Sequence, residues 1–487
     1  MSVSTMSRAR RSDARRRLPP WAVGLSVLSG QVMASLDTAI VNVGAPQIQS
    51  DLHLTGPVLQ LAVSAYVLVY AVGLVTGARL GARWGYARAF LGGTTLFTAA
   101  SLACGLASGA VMLVSARAVQ GAGAALMVPQ VLSLLQAGFT GERRRRVLSL
   151  YGLVLAVGVA AGQILGGVLI SADLLGGGWR PIFLVNLPIG LAVLACSAGR
   201  LPAGPDRASG RRRLDLVGAL LLGGSILALV VPLTFGSDAG WPWWCWTLLG
   251  AAPPALTVFA RYETRLATNG QQPLIDTEIL AQRAVRQGLG GVFVLMACYG
   301  ALLFTTALYL QYTLHDSPLR SGLTFAGYAA GFATASMTWS RLPNRWHPHL
   351  PAVAFALFSA ATAALAWTVA TSGWPWWATV LLAAAGVGHG AGFGALVRRT
   401  VEHTAPQHTA SISGVLSTAN QLAIAIGVAA LGTLYLSTSP HTDSFPALSW
   451  VLSATAAATA LTGLLLTASR PTRQADEQSA LSAPEAR

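Results

Sequence analysis

The chain of 487 residues contains no lysine, and all 32 of its basic residues are arginine. Charge of either sign is sparse: 10% of residues are charged, against about 25% in soluble domains. Only 17 residues are acidic. With 53% hydrophobic residues and a mean hydropathy of +0.57, this excludes an ordinary soluble protein, for which length alone would predict about three domains. The four cysteines, Cys104, Cys196, Cys245 and Cys298, show no CxxC spacing and lie in apolar stretches. They read as small packing groups, and neither a metal site nor a cofactor is expected. No Walker-type loop is present, which removes ATP as an energy source. No His/Asp/Ser grouping shares a loop, so a polytopic membrane enzyme would lack its reactive constellation. No segment reads as the soluble domain of a membrane sensor. The net charge of +15 and pI near 10.7 could point to nucleic acid, but the arginines sit in short clusters between apolar runs and form no single face.

What the chain has is long apolar runs. A membrane-spanning helix needs about 20 apolar residues. On that basis, fourteen spans are predicted near 21–43, 58–78, 88–108, 111–137, 147–170, 181–199, 214–235, 243–261, 287–312, 321–340, 350–370, 374–397, 409–436 and 446–468. The first is too long for a signal-peptide core and has no clear cleavage site, so it is read as uncleaved. With the N-terminus inside, 29 arginines fall on inside segments and two outside, Arg180 and Arg320, while Arg117 lies within a span. That is the positive-inside pattern, and it predicts both termini in the cytoplasm and a cytoplasmic-membrane location.

The sequence also echoes itself. Arg79–Trp84 reads RLGARW and follows the second span; Arg341–Trp346 reads RLPNRW and follows the tenth. The two sites become equivalent if six helices form each half and two more are inserted between them, a plan used by transporters. The expected fold is therefore all-α and integral to the membrane. A tail at 1–20 precedes a six-helix bundle at 21–199. Two inserted helices with a linker fill 200–286, a second bundle covers 287–468, and a tail occupies 469–487. Within the linker, PLIDTEILAQRAV is either an amphipathic surface helix or a plain connection between halves, the latter slightly favoured.

Several motifs carry chemistry. SLDTAIVNVGAP, residues 35–46, places Asp37 inside the first apolar run, where an acid costs about 2.5–3.5 kcal/mol. LVSARAVQGAGAA, residues 113–125, holds Arg117 and Gln120 beside Gly121 and Gly123. GVAAGQILGG, residues 158–167, sets Gly158, Gly162, Gly166 and Gly167 at spacings suited to close helix packing. ARLGARWGYAR, residues 78–88, includes Arg83 and Gly85, and WRPIFLVNLPIG covers residues 179–190. Together these resemble the fourteen-helix drug:proton antiporters of the major facilitator superfamily, over roughly residues 20–470. Two departures stand out. Gln163 occupies the place of the family's fifth-helix proline, which weakens the inference of export. Ala82 occupies the place of a loop aspartate, so the family's cytoplasmic gating salt bridge cannot form from that position.

The resemblance implies a major facilitator fold and a monomeric exporter of lipophilic drugs or antibiotics, cationic ones among them, driven by the proton gradient. Asp37 would couple to protons, with Arg117 beside it. Burial of a carboxylate in a low-dielectric site brings its proton exchange towards physiological pH. Substrate-cavity candidates are Asn42, Tyr66, Gln120, Gln163, Tyr309, Gln311, His389, Asn420 and Gln421, with Tyr328 a further aromatic. For each, packing or interhelical hydrogen bonding is the competing reading. The alternative function is proton-coupled symport, or export of one specific metabolite.

Overall fold

The computed structural model describes residues 19–173, 176–197, 201, 215–237, 239–269, 271, 273, 280, 282–402, 409–438 and 445–468. The expectations for the two tails and for most of the linker fall outside these residues. Within them the long apolar runs are helical. In hydrocarbon each peptide group must be satisfied within its own segment, which a helix achieves unaided.

The first group of helices is α1 (Pro20–Asp51), α2 (Gly56–Trp84), α3 (Tyr86–Gly105), α4 (Ala110–Gly138), α5 (Gly141–Ser171) and α6 (Pro181–Ser197). Then come α7 (Leu216–Phe235) and α8 (Trp243–Thr268). The last group is α9 (Arg283–Leu308), α10 (Pro318–Thr338), α11 (Leu350–Ser372), α12 (Trp376–Glu402), α13 (Thr409–Thr438) and α14 (Phe445–Ala468). Among the described residues, nine helices are long and apolar enough to cross a membrane by length and composition. Bulky apolar side chains such as Val111, Leu220, Trp243 and Trp376 face outward, at 81%, 76%, 78% and 78% exposure. An apolar exterior of this extent belongs in lipid.

The helix ends follow local chemistry. Pro20, Pro57 and Pro318 occupy first-turn positions, where no amide hydrogen is missed. Asp215 caps α7 by accepting from the Gly218 amide at 2.8 Å. Gly85 closes α2 at φ +95°, a conformation that disfavours any other residue. Several helices outrun the sequence boundaries, α2 to Trp84 and α5 from Gly141 among them, and two extensions have a clear local cause. The first run does not stop at residue 43: α1 passes through Pro46 to Asp51, because proline's fixed φ is helix-compatible and only one ladder bond is lost. The eighth does not stop at 261. It continues to Thr268, and its last turns are tied to the start of α7 by Tyr262, whose hydroxyl donates to Asp215 at 3.0 Å. That extension makes Glu263 a fully buried helical acid, where the sequence reading had a loop.

Helix pairing repeats with an offset of eight. α1 packs on α5 and α2 on α4, as α9 packs on α13 and α10 on α12; α3 packs on α4 and α6, as α11 packs on α12 and α14. The seam between the groups is reciprocal: α5 meets α10, and α2 meets α13. α7 lies against α2 and α13, with α8 outside it. Small residues let these backbones approach. A Cβ on Gly121 would stand 2.4 Å from the Tyr66 carbonyl oxygen, and one on Gly386 would stand 2.1 Å from that of Tyr328.

Candidate functional site

Asp37 sits mid-way along α1 with no exposed surface, and Arg117 on α4 is equally enclosed. The Arg117 Nη1 donates to Asp37 Oδ2 and, at 2.7 Å, to Gln120 Oε1. Gln120 Nε2 donates to Asp37 Oδ1 at 2.7 Å and to Ser101 Oγ at 2.9 Å. Asn186, at the start of the main segment of α6, approaches Oδ1 at 3.5 Å. Arg117 Nε reaches the Ala62 carbonyl at 3.2 Å, and its guanidinium lies 4.6 Å from the Tyr66 ring centre. The arrangement is a buried polar network joining α1, α2, α3, α4 and α6, in which Arg117 Nη2 and Asn186 Oδ1 are left without a partner. Burying one member alone would be prohibitive; paired and hydrogen-bonded, the two charges are tolerated.

The network does not open into the cavity between the helix groups. That cavity is narrow, with walls that include Thr38, Asn42 and Ser64 on one side and Tyr299, Leu303 and Ile424 on the other. Asn42, 4% exposed, is there with its Oδ1 unpartnered. Tyr66 and Gln120, expected at the cavity, belong instead to the Arg117 network, because helix rotation turns them toward α4 and α1. Tyr309 packs near Trp374, with ring centres 6.2 Å apart. Gln163 is 1% exposed on α5, where Gly322 of α10 crosses its backbone, and neither of its amide atoms finds a partner. Gln421 is buried and Asn420 half-buried on α13.

Gln311 has a different place. α9 ends in a π-helical turn, Tyr309–Thr313, which widens the helix and redirects its side chains. Gln311 Nε2 thereby donates to the Val43 carbonyl at 3.0 Å, and the Tyr312 hydroxyl donates to Gln49 Oε1 at 2.7 Å. Nearby the Leu319 amide donates to Ser171 Oγ at 3.1 Å. These bonds close the seam at the end holding residues 52–55 and 314–317. Arg83, at the opposite end, is exposed.

The glycines sort by contact. Gly162 and Gly166 seat α5 on Leu36 and Ile40 of α1; Gly158 meets Ser35. Gly123 meets α3 at Phe97, and Gly167 faces the Pro318 carbonyl across the seam, 2.6 Å from a notional Cβ.

The second helix group holds a neutral counterpart of the charged network. Tyr328 on α10 stands as far before Arg341 as Tyr66 on α2 stands before Arg79. Its hydroxyl bonds to His389 Nδ1 on α12, the helix paired by the repeat with α4. Tyr299 stacks on Tyr328 at 5.7 Å and 16°, and Phe332 packs 4.8 Å from the imidazole. His389 is thus caged by rings, with Nε2 unpartnered. Sequence reasoning missed Tyr299, Ser101 and Glu263, and it quoted the motif around Asn186 without assigning that side chain to the site. The motif around Asn186 was the available signal; Tyr299 and Ser101 had none.

A lipid-facing helical shell, a repeat of helix pairings and a cavity at the seam define a multi-pass membrane transporter rather than an enzyme. The Major Facilitator Superfamily model matches residues 27–428, and the chain belongs to that superfamily. It is 33% identical over 419 residues to the probable actinorhodin transporter of Streptomyces coelicolor, covering 85% of this chain and 72% of that one. It is 31% identical to the methylenomycin A resistance protein of the same organism, covering 88% of each. Among solved structures, a bacterial homolog to the human lysosomal transporter Spinster, inward-facing and unoccupied, shares the fold. That match has a TM-score of 0.63 and 15% identity, and covers 92% of this chain and 95% of that one.

Proposed function

We propose that the chain is a proton-driven exporter of lipophilic small molecules of the antibiotic or drug type. It crosses the cytoplasmic membrane fourteen times with both termini inside, as two six-helix bundles and an inserted pair. It works as a monomer, uses no cofactor beyond the proton gradient and binds no nucleic acid. The reading is supported by the named relatives and by the arginine distribution. The observation that carries it is the buried Asp37–Arg117 pair, whose aspartate stands on a helix that also bonds across the seam.

The coupling runs through α1. That one helix bears Asp37 in the network, Asn42 in the cavity wall, and Val43 and Gln49 under the seam bonds. A proton arriving from outside neutralises Asp37 and removes the charge that Arg117 faces. The network then rearranges, and α1 transmits the change to the seam. Loss of the proton to the cytoplasm restores the ion pair. A potential of 100 mV supplies about 2.3 kcal/mol per charge. At about 1.36 kcal/mol per factor of ten, one net charge sustains a gradient of about fifty-fold.

The test is accumulation of fluorescent lipophilic probes in cells expressing the chain, with and without an uncoupler. Expression should lower accumulation of at least one probe, the uncoupler should abolish the difference, and Asp37→Asn should do the same with normal membrane insertion. Efflux that survives both treatments would remove proton coupling.

A further inference from the structure

We infer that the seam cavity takes neutral, planar molecules bearing hydrogen-bond donors and discriminates against fixed cations. This rests on the export reading and names its substrate class.

The first observation is the placement of negative charge. Among the described residues of the helices at the seam, the one acid in the apolar interior is Asp37, and both its oxygens are engaged by Arg117, Gln120 and Asn186. They point away from the cavity, whose wall includes neighbouring Thr38 but not Asp37. Asp215 and Glu263 belong to the peripheral α7–α8 pair. A cation entering the cavity would shed its water and meet no counter-charge, which costs far more than burying a neutral molecule.

The second observation is the sense of the polar groups. The Thr38 hydroxyl donates to the Ala34 carbonyl at 2.9 Å, and the Ser64 hydroxyl donates to the Gln60 carbonyl at 2.7 Å. Each has used its only hydrogen and keeps acceptor capacity. The Asn42 amide adds an acceptor, its Oδ1 without a partner, and the two N–H donors of Nδ2. The two hydroxyls therefore accept, and a ligand satisfies them by donating N–H or O–H, while the Asn42 amide pairs with either sense. An unpaired buried acceptor penalises a ligand without such a group.

The third is shape. Tyr299, on the facing wall, is held flat by its stack on Tyr328 and its contact with His389 at 4.9 Å. A pinned ring offers a planar partner a stacking face at little entropic cost. The cavity as it stands is too narrow for a planar ring system, so binding one requires the two helix groups to part between this ring and Asn42.

Three tricyclic probes separate these features: acridone (neutral, one N–H), N-methylacridone (neutral, no N–H) and 10-methylacridinium (a fixed cation). Equilibrium dialysis against the purified full chain in detergent, with empty micelles as blank, should give acridone at least tenfold tighter binding than 10-methylacridinium. N-methylacridone should fall several-fold below acridone. Asn42→Leu should weaken acridone about tenfold and erase its advantage over N-methylacridone. Asn42→Asp should raise the affinity for 10-methylacridinium, a gain that misfolding could not produce. Equal or tighter binding of the cation by the unmodified chain, no binding of any probe, or acridone affinity unmoved by Asn42→Leu would overturn the inference. In proteoliposomes, gradient-driven movement of 10-methylacridinium alone would leave the export reading intact and remove this one. Selective acridone binding without gradient-driven movement would remove the export reading and leave the cavity chemistry standing.

Discussion

The guanidinium of Arg117 on α4 donates to the carboxylate of Asp37 on α1, and neither side chain exposes any surface. The pair is held from several sides, by Gln120, Asn186, the Ala62 carbonyl and the Tyr66 ring. Its two members are therefore not interchangeable parts.

Removing either charge alone leaves the other buried and uncompensated, which costs about 3–5 kcal/mol. Arg117→Met is expected to lower the thermal midpoint of the purified protein strongly. The double change Asp37→Asn/Arg117→Met should recover more than half of that loss, since no isolated charge remains. Efflux should be absent in both. Thermal unfolding in detergent with parallel efflux assays checks this, and a double variant no more stable than Arg117→Met alone would show that the charges are not paired in the membrane.

The seam bonds from the π-turn set the stability of the closed end. Tyr312→Phe deletes the hydroxyl that reaches Gln49 and the Pro46 carbonyl. A net hydrogen bond is worth about 0.5–1.5 kcal/mol, so the open population at this end should rise about two- to tenfold. The measurement is the rate at which an impermeant maleimide modifies Thr38→Cys in a chain whose native cysteines are replaced by serine. An unaltered rate would mean that the hydroxyl does not hold the seam.

Glycines at two crossings should respond differently. Gly167→Ala pushes a methyl against the Pro318 carbonyl across the seam, whereas Gly162→Ala pushes one against Leu36 within a single bundle. The first should lengthen the spin-label distance between Ala172→Cys and Leu323→Cys. The second should lower the thermal midpoint without changing that distance. The same distance shift in both variants would contradict the assignment.

The caged imidazole gives a fourth test. Tyr328→Phe removes the partner of His389 Nδ1, and an unsatisfied buried polar group costs about 1–3 kcal/mol. Combining it with His389→Leu should cost less than the sum of the two single changes, because neither polar group remains. A double-mutant cycle on thermal stability reads the coupling, and strict additivity would show that the two side chains do not interact.

How much of this was written in the chain can be judged residue by residue. Local composition determined the helical, membrane-bound character, because hydropathy belongs to consecutive residues and the bilayer acts on each segment separately. The spacing of RLGARW and RLPNRW matches the eight-helix offset of the pairings, and the positions of Asp37, Arg117 and the packing glycines were legible in short motifs. Tertiary structure alone decided what those residues face. Tyr66 and Tyr328 share a register, yet one lies over a guanidinium and the other bonds to an imidazole. Gln120 grips Asp37, while Asn42, one and a half turns along the same helix, looks into the cavity. The end of α8 could not be read because Tyr262 meets its partner on α7, 47 residues away. Helix rotation and inter-helix register depend on contacts between segments far apart in sequence. No window on a single segment contains them.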